Sequence, residues 1–151
     1  MEKSTARFLV LGCTLLFVSV LQFLDIAIFG VVPNMLLVVI VTMALFLRDF
    51  LHELFLLSLA SFLLKFSPVV NREILAFFFI GLIIILIERK LPWHTLVNGI
   101  FLTFFATIAL YVFVDRASIA SLMFAKELGY NVLLTYALYH GFVFFRLFRH
   151  R

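Results

Sequence analysis

The sequence predicts an all-α integral membrane protein with six transmembrane helices, folded as a single domain over residues 1–151. Three observations carry this prediction. The chain is 66% hydrophobic and 13% charged, whereas a soluble domain is about 45–50% apolar and about 25% charged. Its apolar residues form six runs, and its charged residues gather between them. A chain of this length cannot bury so much apolar surface in its own interior, so lipid must surround most of it.

The first two runs flank a polar stretch that reads LQFLDIAIFGVVPNM. A membrane-spanning helix needs roughly 20 apolar residues, with about 17 as the lower limit, and Phe8 to Leu24 meets that limit. No small-residue cleavage pattern follows it, so we expect an uncleaved first span that Asp25 ends at an interface. Pro33 opens the second run, to Leu47, because the missing N–H of proline would be unpaired in a first helical turn anyway.

The third and fourth runs are short. The third covers Leu54 to Phe66 and ends at Ser67-Pro68, because the residue before a proline is pushed out of helical geometry. The fourth covers Ile74 to Ile87 and is rich in β-branched residues. A single strand cannot cross a bilayer with its backbone groups unpaired, so this run also predicts a helix. Runs of this length imply tilt, extension into the turns or a locally thinned bilayer.

The last third of the chain holds the two remaining runs. Trp93 is placed like an interfacial anchor ahead of the fifth and clearest run, Thr95 to Val114. Between the runs, 117–129 carries apolar residues at helical spacing among polar ones, which predicts a short amphipathic helix on the membrane surface. The alternative is an ordinary connector. Val132 to Phe145 is the sixth run, and a basic end follows it.

The distribution of lysine and arginine predicts the topology. Six spans place both termini on one side, and cytoplasmic loops carry an excess of basic residues. With both termini inside, the outer side holds four basic residues and the inner side holds eight. The inner residues are Lys3, Arg7, Arg48, Arg89, Lys90, Arg146, Arg149 and Arg151. We therefore expect a multi-pass protein with cytoplasmic N- and C-termini.

Charge and cysteine content exclude some kinds of partner and bond. The net charge of +4 comes from basic residues scattered at the ends of apolar runs, with no lysine or arginine stripe, so we expect no nucleic-acid partner. The single Cys13 permits no intramolecular disulfide. We expect it to be a small buried thiol.

No catalytic or metal constellation stands out in the sequence. His52-Glu53 matches half of a zinc-binding HExxH helix, but Leu56 stands where the second histidine belongs. There is no G-x-S-x-G elbow, and the six glycines are too dispersed for a phosphate loop. We therefore predict a protein that is not an enzyme and has no cofactor, no metal site and no catalytic residues.

A few polar side chains lie where nearly everything else is apolar. Gln22, Asn34 and Asn98 are expected to face protein rather than lipid, since buried polar side chains in membranes form hydrogen bonds between helices. A structural role of this kind is favoured over ligand contact. Ionisable residues inside a membrane are functional candidates by default. Those present here are Asp25, Lys65 and Glu127, and all three can reach an interface.

Three features resemble the rod shape-determining protein MreD family. Leu21-Gln22 lies near the end of the first span, and Pro33-Asn34-Met35 opens a short second span that ends at Arg48. The tail from Lys126, KELGYNVLLTYALYHGFVFFRLFRHR, is similar to the closing pattern of the family. Gln22, Pro33, Asn34 and Asn131 are the residues that the resemblance marks as structural or partner-binding.

The resemblance implies a non-enzymatic scaffold subunit of the cell-elongation machinery in a bacterial inner membrane. Such proteins associate with MreC, and through it with the MreB filament and the peptidoglycan synthase complex. Their fold is similar to the S components of energy-coupling factor transporters. One alternative is a small-solute, vitamin-binding S component, which the lack of alanine in 8–24 disfavours. Another is a membrane enzyme acting on lipid, which the missing acidic and histidine clusters disfavour.

Overall fold

The computed structural model describes residues 2–25, 27, 29–64 and 71–144, with the side chains from residue 5 onward. Within these ranges the chain forms six α-helices and one 3₁₀ helix and no β-strand, which confirms the all-α prediction. The 3₁₀ helix covers Arg116–Ala120. The α-helices are α1 (Glu2–Phe23), α2 (Met35–Phe46), α3 (Phe50–Leu63), α4 (Arg72–Glu88), α5 (Thr95–Val114) and α6 (Leu122–Phe144).

Helix α2 lies at the centre of the bundle. Nine of its 12 residues are buried, and it contacts all five other α-helices. It is apolar on every side, as a helix surrounded by protein should be. Around it, neighbouring helices pack in the order α1, α3, α4, α5 and α6.

The described residues between α1 and α2 are not helical. Their backbone has left-handed φ angles of 47° at Asp25, 50° at Phe29 and 82° at Gly30. Asn34 is the N-cap of α2, and its side chain accepts a hydrogen bond from the Leu37 N–H. The prediction that Pro33 stands in the first helical turn is therefore wrong. Asn34 supplies the cap that a helix start needs, so the proline precedes the helix.

Among the described residues, two helices are long and apolar enough to cross a membrane, over Thr5–Phe23 and Thr95–Val114. The 12 residues of α2 and the 14 of α3 rise only about 18 and 21 Å, because an α-helix rises about 1.5 Å per residue. A hydrocarbon core is about 30 Å thick. The second and third apolar runs therefore form helices shorter than the hydrocarbon core is thick. Helix α3 begins at Phe50, four residues before the predicted start of its run at Leu54.

Two local predictions need correction. The surface helix expected over 117–129 is instead the 3₁₀ helix followed by the first two turns of a continuous α6. The reason is that Glu127 is buried and accepts a hydrogen bond from Tyr111 on α5, so this face of α6 packs on protein. Cys13, expected to be buried, is exposed on α1.

Several predicted features lie outside the described residues. These are Lys65, the stop at Ser67-Pro68 and the basic residues Arg146, Arg149 and Arg151, together with the side chain of Lys3.

Close packing at Gly81 gives a first testable prediction. A Cβ added to Gly81 would lie 2.3 Å from Cδ1 of Leu57, a fully buried side chain. We expect Gly81→Ala to lower the free energy of unfolding by about 1–3 kcal/mol, the usual cost of overpacking a core. Gly129 has nothing within 4 Å of its added Cβ. The matched variant Gly129→Ala should therefore be neutral, or stabilising by up to about 1 kcal/mol, in a detergent unfolding titration. Equal effects at the two positions would contradict the packing described for α3 and α4.

Candidate functional site

The start of α2 is held by side chains from two other helices. The Met35 N–H donates to Oε1 of Gln22 at 2.8 Å, and the Asn34 N–H donates to Oδ1 of Asn131 at 2.9 Å. Gln22 belongs to the last turn of α1, and Asn131 lies in the middle of α6. The first N–H groups of a helix have no partner within the helix, so these bonds satisfy donors that would otherwise be unpaired. We call Gln22, Asn34, Met35 and Asn131 the α2 clasp.

A second set of polar contacts joins α5 to α6. Tyr111 donates its hydroxyl hydrogen to the Glu127 carboxylate, Nδ2 of Asn131 donates to Oγ1 of Thr107 at 3.2 Å, and the hydroxyls of Thr103 and Thr135 are 2.8 Å apart. The residues step by four along each helix, in opposite directions, as facing positions on antiparallel helices must. We call this set the polar ladder. Its members are Thr103, Thr107, Tyr111, Glu127, Asn131 and Thr135.

Asn131 belongs to both the clasp and the ladder. Its amide oxygen accepts from the backbone at the start of α2, and its amide nitrogen donates to Thr107 on α5. The residue is fully buried. One side chain therefore ties together α2, α5 and α6, and its removal would leave both a backbone N–H and a hydroxyl without this partner.

The structure brings together three of the four residues that the family resemblance marks. Gln22, Asn34 and Asn131 meet at the clasp although they lie in three separate segments. Pro33 is buried beside them and precedes the N-cap. Asn98 is buried at 3% exposure but lies apart, and its Oδ1 has no hydrogen-bond partner. Its expected position facing protein is confirmed, whereas a role in hydrogen bonding between helices through Oδ1 is not.

Most ladder residues were not singled out from the sequence. Thr103, Thr107 and Tyr111 recur every four residues along the fifth run, and Glu127, Asn131 and Thr135 do the same near the chain end. This spacing puts each set on one face of its helix. Two such polar rows in consecutive helices are a signal that could have identified the contact.

A cavity of about 260 Å³ opens where the ladder ends. The Tyr111–Glu127 pair, which is this end of the ladder, forms part of its wall. The cavity is lined by Glu73, Leu110, Tyr111, Val114, Asp115 and Glu127. Within the described ranges, no group of three or more His, Cys, Asp or Glu side chains is arranged to hold a metal ion.

The opposite end of the bundle is joined by an ion pair. Arg89 donates to Oε2 of Glu53 at 2.7 Å and to the carbonyl oxygen of Arg48 at 3.2 Å. Its guanidinium also lies 5.5 Å from the ring centroid of Phe50. The Glu53 side chain is only 2% exposed, whereas that of Arg89 is 39% exposed. These contacts connect the turn between α2 and α3 to the end of α4.

The carboxyls at this end lie outside the predicted apolar runs 54–66 and 74–87, and burial shifts their titration. Burial raises the pKa of Glu53 above its ordinary value, and the hydrogen bond from Arg89 offsets part of that rise. Burial also raises the pKa of Glu88, against the opposing charges of Arg48 and Arg89. His52, which precedes Glu53 in the incomplete zinc motif, has its Nδ1 atom 3.0 Å from Oδ2 of Asp49.

No family model matches the chain, and no curated protein and no solved structure matches it either. The polar contacts themselves are typical of structural hydrogen bonding between packed helices. The arrangement can fix the position of α2 and the register of α5 against α6.

Proposed function

We propose that the protein is a multi-pass subunit of a bacterial inner membrane, with its six apolar runs crossing the bilayer. Two helices of sufficient length and apolarity support this, together with the composition of the whole chain. The short α2 fits the proposal because irregular backbone is tolerated at membrane depth only where protein buries it. The clasp supplies hydrogen-bond acceptors to the Asn34 and Met35 N–H groups at the start of α2, which are half-buried.

The proposed topology places both termini in the cytoplasm. The connectors after α2 and α4 carry the exposed residues Arg48, Arg89 and Lys90, and the excess of basic residues marks the cytoplasmic side. The clasp and the cavity then lie toward the outer side. The distribution of basic residues along the chain supports this orientation.

We further propose that this subunit is a scaffold of the MreD type, without catalytic activity. Its partner would be an MreC-like protein, and through it the MreB filament and the peptidoglycan synthase complex. One observation carries the proposal: Gln22, Asn34 and Asn131, which the resemblance marks, form one hydrogen-bonded cluster, with Asn131 fully buried and the other two half-buried, that positions the central helix. Such a cluster gives the bundle a fixed shape, which a partner helix needs in order to bind a defined surface.

Co-purification from membranes tests the scaffold role. The tagged protein is expressed with the MreC-like protein of the same genome and extracted in mild detergent. We expect the two proteins to elute together from a sizing column. Gly129→Ala changes an exposed position of α6 and should retain the fold, whether or not it weakens the association of the two proteins. If the protein elutes alone while other membrane complexes survive, and binds a vitamin-like solute tightly, the S-component alternative replaces the scaffold.

A further inference from the structure

One exposed face of α5 carries a continuous row of aromatic rings. The ring centroids of Trp93 and Phe101 are 5.1 Å apart, and those of Phe101 and Phe105 are 4.4 Å apart. Phe104 extends the row, 5.4 Å from Phe105. These four side chains are 36–51% exposed, as is Val97 at 51% between them. The rings hold one another in place and leave an apolar surface uncovered. We call it the α5 aromatic face.

The length of this face matches one leaflet of a bilayer. From Thr95 to Phe105, α5 rises about 15 Å at about 1.5 Å per residue. That is half of a hydrocarbon core about 30 Å thick. A lipid acyl chain lying along α5 would therefore contact the aromatic face over most of its length, starting from Trp93 at the interface.

An exposed lysine follows α4 in the connector that leads to Trp93. This residue, Lys90, lies three residues before Trp93. The carboxylates at this end have other partners: Glu53 pairs with Arg89, Glu88 lies close to Arg48 and Arg89, and Asp49 lies 3.0 Å from Nδ1 of His52. Lys90 is thus placed to meet a negative headgroup at the level where Trp93 enters the interface.

We propose that the α5 aromatic face, together with Lys90, is a binding site for an anionic phospholipid of the inner leaflet. Its acyl chain lies along the rings, and its phosphate pairs with the Lys90 ammonium. Negative lipids of the cytoplasmic leaflet attract basic residues beside transmembrane helices. This inference rests on the proposed membrane location and orientation and adds the kind of lipid that the protein selects.

The single tryptophan of the chain allows a direct test. The full-length protein is reconstituted in vesicles of phosphatidylcholine that contain a fixed fraction of brominated phosphatidylglycerol or of brominated phosphatidylcholine. Bromine quenches tryptophan fluorescence on contact, so the signal of Trp93 reports which lipid lies beside it. We expect about fivefold stronger binding of the brominated phosphatidylglycerol, the usual preference given by one lysine near an anionic surface.

Three variants assign the preference to Lys90. Lys90→Gln should reduce the fivefold preference to about one, and Lys90→Arg should retain it. Lys126→Gln, an exposed lysine at the other end of the bundle, should leave it unchanged. Equal quenching by both lipids in the wild-type protein, or the same loss with Lys126→Gln, would overturn the lipid site. The absence of quenching by either lipid would instead show that Trp93 does not face a bilayer, and the proposed membrane location of this end of α5 would fail with it.

Discussion

Asn131→Ala is expected to lower the free energy of unfolding by about 2–3 kcal/mol. The substitution removes the acceptor of the Asn34 N–H and the donor to Thr107. A buried polar group that loses its partner costs about 1–3 kcal/mol, and a hydrogen bond between membrane helices contributes about 0.6–2 kcal/mol. Unfolding of the purified protein by a denaturing detergent in mixed micelles measures the loss.

Asn98→Ala provides the matched control. Asn98 is as deeply buried as Asn131, but its Oδ1 has no hydrogen-bond partner. Its replacement removes an unpaired acceptor, so the cost should stay below about 1 kcal/mol, and the protein could become more stable. Similar losses at the two asparagines would mean that side-chain volume, rather than the clasp, determines the effect of Asn131→Ala.

Arg89→Ala is expected to cost about 2–3 kcal/mol at neutral pH. It leaves the buried Glu53 carboxylate without its cation, and removing one partner of a buried pair commonly costs about 3–5 kcal/mol. The expected cost for Arg89→Ala is below that range because the Arg89 side chain is 39% exposed and solvent screens part of the interaction. Arg116→Ala is the control, since this exposed arginine donates to the Val112 carbonyl oxygen on the preceding helix and not to a buried carboxylate among the described residues. Its effect should stay within about 0.5 kcal/mol.

The cost of Arg89→Ala should also depend on pH. Arg89 lowers the pKa of Glu53, which burial raises, so the variant raises that pKa further. A group whose pKa is raised in the folded state stabilises fully below its unfolded pKa, and this contribution is lost as pH rises through the folded pKa. The deficit of the variant should therefore be smallest near about pH 4.5 and increase toward neutral pH. Adding Glu53→Gln should remove that increase, and a deficit independent of pH would contradict the buried pair.

The helices were predictable because apolar runs and their boundaries are local features. The predicted fifth run and α5 share both ends, Thr95 and Val114. The central place of α2 was not predicted. A helix that is apolar on every side is a sign of burial in a soluble protein, but a lipid-facing helix has the same composition. Only the packing of the other helices distinguishes the two cases.

The candidate site could be predicted only in part, because a polar residue in an apolar run has two ways to satisfy its hydrogen bonds. The Thr42 hydroxyl bonds the Val38 carbonyl oxygen on its own helix, whereas the Thr103 hydroxyl meets Thr135 on another. Both threonines look alike in the sequence. The ion pair between Glu53 and Arg89 likewise joins residues whose meeting depends on how α3 packs against α4.

The labelling of introduced cysteines tests the membrane-spanning bundle most directly. Cys13→Ser removes the native thiol, and single cysteines then replace exposed residues in separate variants. Arg48→Cys and Lys90→Cys probe the proposed inner side, and Arg72→Cys and Ala117→Cys probe the outer side. A membrane-impermeant maleimide should label the outer pair in spheroplasts and the inner pair only after lysis. Labelling of all four in intact spheroplasts, the reverse pattern, or recovery of the protein in the soluble fraction would contradict six spans with cytoplasmic termini.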